Sequence, residues 1–417
     1  MSKTTEQRVI VEDDSSVDEI TREMATLKFR QDPYPMYARM RREHPVYRSS
    51  RGIWYLTRYA DVDAALRDVR LSKDRERMRR WYAQRNGTDA VGRLQERLGR
   101  SMLRADPPDH TRLRKPVSKA FTARQVNGLR PRIEKIADEL LGVALAVGPT
   151  MDVITALAYP LSITVICELL GVPLSDRARI RAWSRQLVNQ SEVVHTVETI
   201  QRIERAVEEF VDYLTNLARK RRAEPADDLM SALVAVQDCG DRFTDDELIS
   251  TCFLLLVAGH ETTINLVGNS MLALLRHPGQ LRRLRQDPAL IRSAIEELLR
   301  YDGTVQITTR IVKGEVEIDG QTLSDGEAVF PVLGAANRDP DQFADPDRLD
   351  LGRIDNRHLS LSNGPHFCLG APLARLEGEI AIGTLVRRLP RLRLDTDTLE
   401  WRPSPGLRGL EALPVAY

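Results

Sequence analysis

The sequence predicts a mainly α-helical protein with minor β-structure, built as one large domain. Three observations carry that expectation. From about residue 108 to residue 300 apolar residues recur at helical spacing. Strand-like segments are short and confined to "GIWYLTRY", from Gly52, and to residues 303–335. No internal repeat or flexible linker divides the 417 residues.

The elements follow in order. "MSKTTEQRVIVEDDSS" is polar and acidic and lacks the apolar core of a signal peptide. Residues 1–25 are therefore expected as a flexible tail ahead of a domain over 26–417. "DPYPMYARMRREHP" reads as a helix entered through prolines, "GIWYLTRY" as a strand and "ADVDAALRD" as a short helix. Residues 70–104, rich in arginine and poor in periodicity, read as a long loop with helical pieces. "VITALAYPLSITVIC" (153–167) falls short of the ~20 residues a bilayer span needs and contains Pro160, so a buried core helix is expected.

In the stretch 197–223 apolar residues at 197, 200, 203, 207, 210, 214 and 217 form one core-facing stripe. "TDDE" (244–247) is a capping box that opens a helix running to Pro278, about 45–50 Å at 1.5 Å per residue. Asp287 and Pro288 supply the N-cap and first position of another. "VEIDGQTLSDGEAVF" gives hairpin-like strands with glycine turns, and a proline-rich irregular segment follows it.

Composition excludes several functions. Net charge is +1, from 61 basic and 60 acidic residues, so no basic excess points to nucleic acid or an anionic membrane. Four scattered cysteines, Cys167, Cys239, Cys252 and Cys368, form no CxxC pair and fit a reduced, cytoplasmic setting. A soluble protein is expected.

Four stretches carry chemistry. In "NGPHFCLG" (363–370) Cys368 lies between Gly364 and Gly370, just before a helical pattern. Glycines permit tight turns with inward amides, and a helix N-terminus favours thiolate over thiol. Such a thiolate is a metal ligand or a nucleophile, and His366 is the base a cysteine hydrolase would use. In "LLLVAGHETT" (254–263) Gly259 removes a side chain where something approaches the backbone, and Thr262 can bond the carbonyl of Ala258. Glu261 beside Thr262 makes an acid–alcohol pair suited to proton delivery. The zinc-protease pattern H-E-x-x-H fails, because position 264 is isoleucine. "EELLR" places Glu297 and Arg300 on one helix face, by itself a surface ion pair. "DPPDHTRLR" places His110 and Arg114 on one face at a helix start, where they could grip one anion, and Arg310 is a further candidate cation.

Taken together and in this order, over about residues 30–410, these motifs resemble the cytochrome P450 family of haem-thiolate monooxygenases, in its soluble bacterial branch. The family's F-x-x-G-x-H-x-C-x-G stands here as "LSNGPHFCLG". The resemblance implies a P450 fold with a long central helix over haem b (iron protoporphyrin IX) and Cys368 as thiolate ligand to the iron. It implies His110, Arg114, Arg310 and His366 as holders of the propionates. Ala258 and Gly259 would line the oxygen groove, with Glu261 and Thr262 as catalytic pair. It implies a buried Glu297–Arg300 pair completed by Arg348 of "DPDRL". Two positions depart from the family: its aromatic seven residues before the cysteine is Leu361, and the following glycine is Ser362. The first departure puts shielding of the sulfur and its reduction potential in question. Leu349 likewise stands where phenylalanine is usual.

The implied activity is O2-dependent oxidation of a C–H or C=C bond in a hydrophobic small molecule of secondary metabolism, with Val305 and Ile307 in the pocket. No G-x-G-x-x-G motif accompanies the haem signature, so a separate ferredoxin and ferredoxin reductase are the implied electron donors. Arg112 and Lys115 are candidates to meet an acidic partner. The alternatives are the same fold with peroxide-driven or other haem chemistry, a non-enzymatic haem sensor or electron carrier, and the thiol hydrolase.

Overall fold

Thr244 opens the longest helix with a reciprocal cap: its hydroxyl accepts from Glu247 N at 3.2 Å, and the Glu247 carboxylate accepts from Thr244 N at 2.8 Å. The helix runs Asp245–Arg276, 32 residues, and from Ile264 to Leu274 it is buried on every side. By length and composition it could cross a membrane, yet 67% of its apolar window lies inside the protein. These features come from a computed structural model that describes residues 18–86, 99–188, 197–238 and 243–417.

Neighbouring helices dock onto this axis where side chains are missing. A Cβ on Gly259 would lie 2.9 Å from Ile166 Cδ1, and one on Gly268 would lie 2.6 Å from Ile154 Cδ1. Both isoleucines belong to the apolar run 153–167. That run is buried as expected, but it opens as a π-helical turn over Ile154–Ala158 before the α-helix Tyr159–Leu170, with Pro160 in the first turn where no intrahelical N–H is needed. The helix Ala371–Arg388 packs on the central helix through Gly378, whose Cβ would meet Leu266 and Ile295 at 3.3 Å. The stripe on Val197–Ala223 turns Ile203, Val207, Phe210, Leu214 and Leu217 into the core. Val197 and Ile200 of that stripe have side chains outside the described set, and Cys239 lies outside the described residues.

The β-structure is small. A five-stranded sheet has the order Val46–Arg48, Ile53–Leu56, Ala328–Pro331, Arg310–Val312, Leu71–Ser72. Its one parallel pair sets Trp54 opposite Val329. A three-stranded sheet joins Thr150–Asp152, Pro414–Ala416 and Arg393–Leu394. The hairpin Val316–Ile318/Gln321–Leu323 turns on Asp319 and Gly320 at φ 51° and 70°, the left-handed pair such a turn needs.

Some expectations shift. Glu19–Met24 is helical, capped by Asp18, so the stretch read as a tail is ordered from Asp18 onward. Asp287 and Pro288 open a 3-10 turn, Pro288–Leu290, and the α-helix begins at Ile291. Within 70–104 the chain makes the edge strand Leu71–Ser72, the helix Arg75–Asn86 and a 3-10 turn at Met102–Arg104, while 87–98 fall outside the described residues.

Candidate active site and cofactor cradle

Cys368 sits at the end of a loop whose shape the chain dictates. Gly364 has φ 67°, and a Cβ there would lie 2.7 Å from Leu66 O, so glycine is required. Gly370 is different: its φ is −79°, so the backbone there does not demand glycine. Ser362 adopts φ 63° where the family carries glycine, a left-handed conformation that costs a non-glycine residue about 1 kcal/mol or more. Cys368 N donates to Leu361 O at 2.8 Å, closing the loop, and Leu361 is buried in the main core.

Burial pushes the Cys368 thiol up, against the amides of Gly370 and Ala371 and the charges of Arg114 and Arg375, which favour the thiolate. The helix start alone therefore does not ionise the sulfur, contrary to the sequence expectation. A coordinated metal ion would. Burial and the surrounding cations Lys73, Arg310, His110 and Arg114 force His366 down to about 2, so it cannot serve as a general base and the hydrolase reading falls.

Beside this loop three cations, Lys73, Arg114 and Arg310, converge with two histidines. The rings of His110 and His366 are 4.5 Å apart. Arg310 is buried, with Nη1 donating to Thr308 Oγ1 and Thr309 O and Nη2 meeting no acceptor. His110 Nε2 is also buried and unpartnered. Lys73, which the sequence did not single out, donates to Thr308 Oγ1 at 3.1 Å. Burial first, and then Arg310 and Arg104, hold its pKa well below the ordinary lysine value. Burial likewise lowers Arg310 to about 10, with Asp106 its one opposing charge. Arg114 reaches the same region but spends its guanidinium on the cysteine loop, donating to Pro365 O at 3.3 Å and Phe367 O at 2.7 Å. Cations that repel one another at close quarters and leave donors open favour a bound anion. The two propionates of a haem have that chemistry, and a cysteine beside them is of the type that can ligate its iron, so the residues present fit the group.

The central helix supplies the other wall. Val257, Ala258, Gly259 and Thr262 are partly or fully uncovered in a helix otherwise buried on both sides of them. Val257 and Cys368 border the same apolar cluster. Thr262 Oγ1 donates to Ala258 O at 2.9 Å, as its spacing predicts, and Thr304 Oγ1 donates to Thr262 O. Gly259 lets Ile166 come close, since a Cβ there would lie 2.9 Å from Ile166 Cδ1. Val305 and Ile307 lie on one partly uncovered face, each bridged to a neighbouring strand segment through Leu407 and Val332. Glu261 is buried and not free: Arg402 Nη1 holds Oε2 at 2.6 Å, and His260 Nε2 lies 3.5 Å from Oε1. Burial would raise the Glu261 carboxyl, but His260 and Arg402 outweigh it and hold it at about 2.

"EELLR" is no surface pair. Glu297 and Arg300 are fully buried, bonded at 2.8 and 2.9 Å. The third member is Arg353, whose Nε donates to Glu297 Oε2 at 3.1 Å. Arg348, expected there, contributes only its backbone carbonyl to Arg300 and leaves its side chain exposed.

The Cytochrome P450 family model matches residues 46–398. The chain belongs to the cytochrome P450 family. It is 48% identical over 396 residues to Cytochrome P450 107B1 of Saccharopolyspora erythraea, covering 93% of this chain and 95% of that one. To the 6-deoxyerythronolide B hydroxylase of the same organism it is 40% identical over 411 residues, covering 93% and 96%. The crystal structure of P450BioI in complex with acyl carrier protein bearing hexadec-9Z-enoic acid superposes with a TM-score of 0.87 at 38% identity, covering 94% of this chain and all of that one. As a P450 this chain is a haem-dependent oxidoreductase of the monooxygenase type.

Proposed function

We propose that this P450 inserts oxygen into a hydrophobic small molecule of secondary metabolism, with Cys368 ligating the iron of haem b. The observation that carries the reading is the pairing of an amide-lined cysteine loop with a repelling cation cluster that needs an anion. When bound, the haem supplies redox chemistry and O2 activation. His110, His366, Arg310 and Lys73 would hold its propionates, and Arg114 would fix the loop beside them. Ala258, exposed on the helix, leaves its surface low enough for O2 and substrate to approach, while Gly259 beside it makes room for Ile166.

Because the Thr262 hydroxyl proton is committed to Ala258 O, its oxygen is free to accept from a water and so to fix the last donor of a proton path. Glu261 lies one residue away behind it. Val305 and Ile307 offer apolar contact to substrate. One relative is named for hydroxylating 6-deoxyerythronolide B and another is seen in complex with a carrier-bound hexadec-9Z-enoic acid, and the long hydrocarbon chain of the latter supports a largely apolar substrate. Electrons would come from a ferredoxin and its reductase in the cytoplasm. Lys115 is exposed and suits an acidic partner, whereas Arg112 is engaged by Glu247 at 2.7 Å and by Asp109.

Thr262→Ala tests the proton path. Haem content and substrate binding should persist while electrons divert to hydrogen peroxide, cutting coupled product formation by about 10-fold or more. Unchanged coupling would remove Thr262 from the path.

A further inference from the structure

We propose that His260 and Glu261 hold one proton between imidazole Nε2 and carboxylate Oε1, and that this pair, clamped by Arg402, is the proton store behind Thr262. The inference rests on the reading that Thr262 and Glu261 deliver protons.

His260 is completely buried. Its Nδ1 lies 2.6 Å from Leu256 O, and a carbonyl oxygen can only accept, so Nδ1 carries a hydrogen. If the ring is neutral, Nε2 is then a bare acceptor. Nε2 meets no hydrogen-bond partner, and the polar atom it faces is Glu261 Oε1 at 3.5 Å. Two lone pairs turned toward each other in a buried site repel, whereas one proton between them makes the contact attractive.

Arg402 decides which carboxylate oxygen takes part. Its Nη1 occupies Oε2 at 2.6 Å and leaves Oε1 to the histidine. Its backbone is fixed on the C-terminal hairpin, where Arg402 N donates to Gly409 O beside the Trp401–Leu410 bridge. With Glu261 held strongly acidic, the resting proton sits on the imidazole side. The other titratable neighbour is Tyr159, which Glu261 affects from the adjoining helix and over whose ring Arg181 lies at 3.9 Å. In operation the proton passes from Nε2 through Oε1 to a water held at Thr262 Oγ1, and solvent reloads the pair. No electron moves. His260 acts through Glu261 and is a positioning and proton-holding residue. "AGHETT" contains it, but only the fold reveals that Nδ1 is spoken for.

The test follows the 15N-histidine resonances of the ferrous carbonyl holoenzyme against pH, with His260 assigned by its loss in His260→Asn, which can keep a donor toward Leu256 O. His260 should carry hydrogens on both nitrogens at the pH of highest coupling and lose one as the pH is raised. Coupled product formation should fall as that proton is lost, and in His260→Asn it should be about 10-fold lower and independent of this titration, short of the ~100-fold a positioned acid can supply because Glu261 and Arg402 stay. A singly protonated His260 across the range, or a wild-type pH profile in His260→Asn, overturns the proposal. If that variant does not fold, the wild-type resonance is assigned by single replacement of the other histidines, and its protonation decides. Loss of coupling in Thr262→Ala together with an unmoved profile in His260→Asn sinks this inference alone. Full coupling in Thr262→Ala sinks the reading beneath it.

Discussion

The surroundings of Glu297 and of Arg310 are equally buried and oppositely finished. Glu297 receives Arg300 twice, Arg353, Asn356 and the Asp350 amide, so its oxygens are satisfied by the chain itself. Arg310 has one nitrogen without an acceptor, and its neighbours, the buried His110 and the half-buried Lys73 and His366, carry charge or donors of the same kind. A closed network describes what holds the fold together. An open one of single sign describes what the fold is built to hold. The contrast separates structural polar residues from functional ones without reference to any motif.

Glu297→Ala should have the largest effect. It strands the buried guanidinium of Arg300 and the half-buried one of Arg353, and breaking a buried pair costs about 3–5 kcal/mol. Chemical denaturation should show that loss in the apoprotein, with or without haem chemistry.

Glu377 sharpens the comparison, because it is a closed-side residue finished like an open one. It is fully buried on the helix after the cysteine loop, neither oxygen has a hydrogen-bond partner, and burial raises its pKa to about 8 despite the nearby Ser162 hydroxyl. The unfolded carboxyl loses its proton near 4.5, so between 4.5 and 8 the unfolded state binds fewer protons and stability falls as pH rises. The fall should be on the order of 3 kcal/mol between pH 5 and pH 7, and Glu377→Gln should abolish it. Denaturation midpoints at a series of pH values check this.

Arg310→Met should act in the opposite sense to Glu297→Ala. Removing one of several repelling buried cations should leave apoprotein stability equal or higher. Transfer of haem to an acceptor protein should accelerate about 10- to 100-fold, the worth of one hydrogen bond to a charged group. A destabilised apoprotein with unchanged haem transfer would place Arg310 on the structural side.

Much of this was legible in the sequence where chemistry is local. The Thr262–Ala258 bond and the cap at Thr244 follow from residue types at short spacing, whereas the roles proposed for Cys368, His366, His110 and Arg310 came from the family resemblance. What escaped depends on distant segments meeting. Arg402 reaches Glu261 across 141 positions, and Lys73 joins Thr308 and Arg310 from a strand edge. Arg353 displaces Arg348 because the chain turns between them, sending one side chain inward and the other to solvent. Gly259 marks a close approach, as its type predicts, but of Ile166. Glu377 sits in an ordinary amphipathic stretch, and nothing in its neighbours announces that both oxygens are buried.

The central claim is the bond from Cys368 to haem iron, and the ferrous carbonyl difference spectrum reads it most directly. The wild-type protein should show the red-shifted band of a thiolate ligand, and Cys368→His, purified with haem, should lose it. A wild-type spectrum without that band, or a Cys368→His protein that keeps it, would contradict the account.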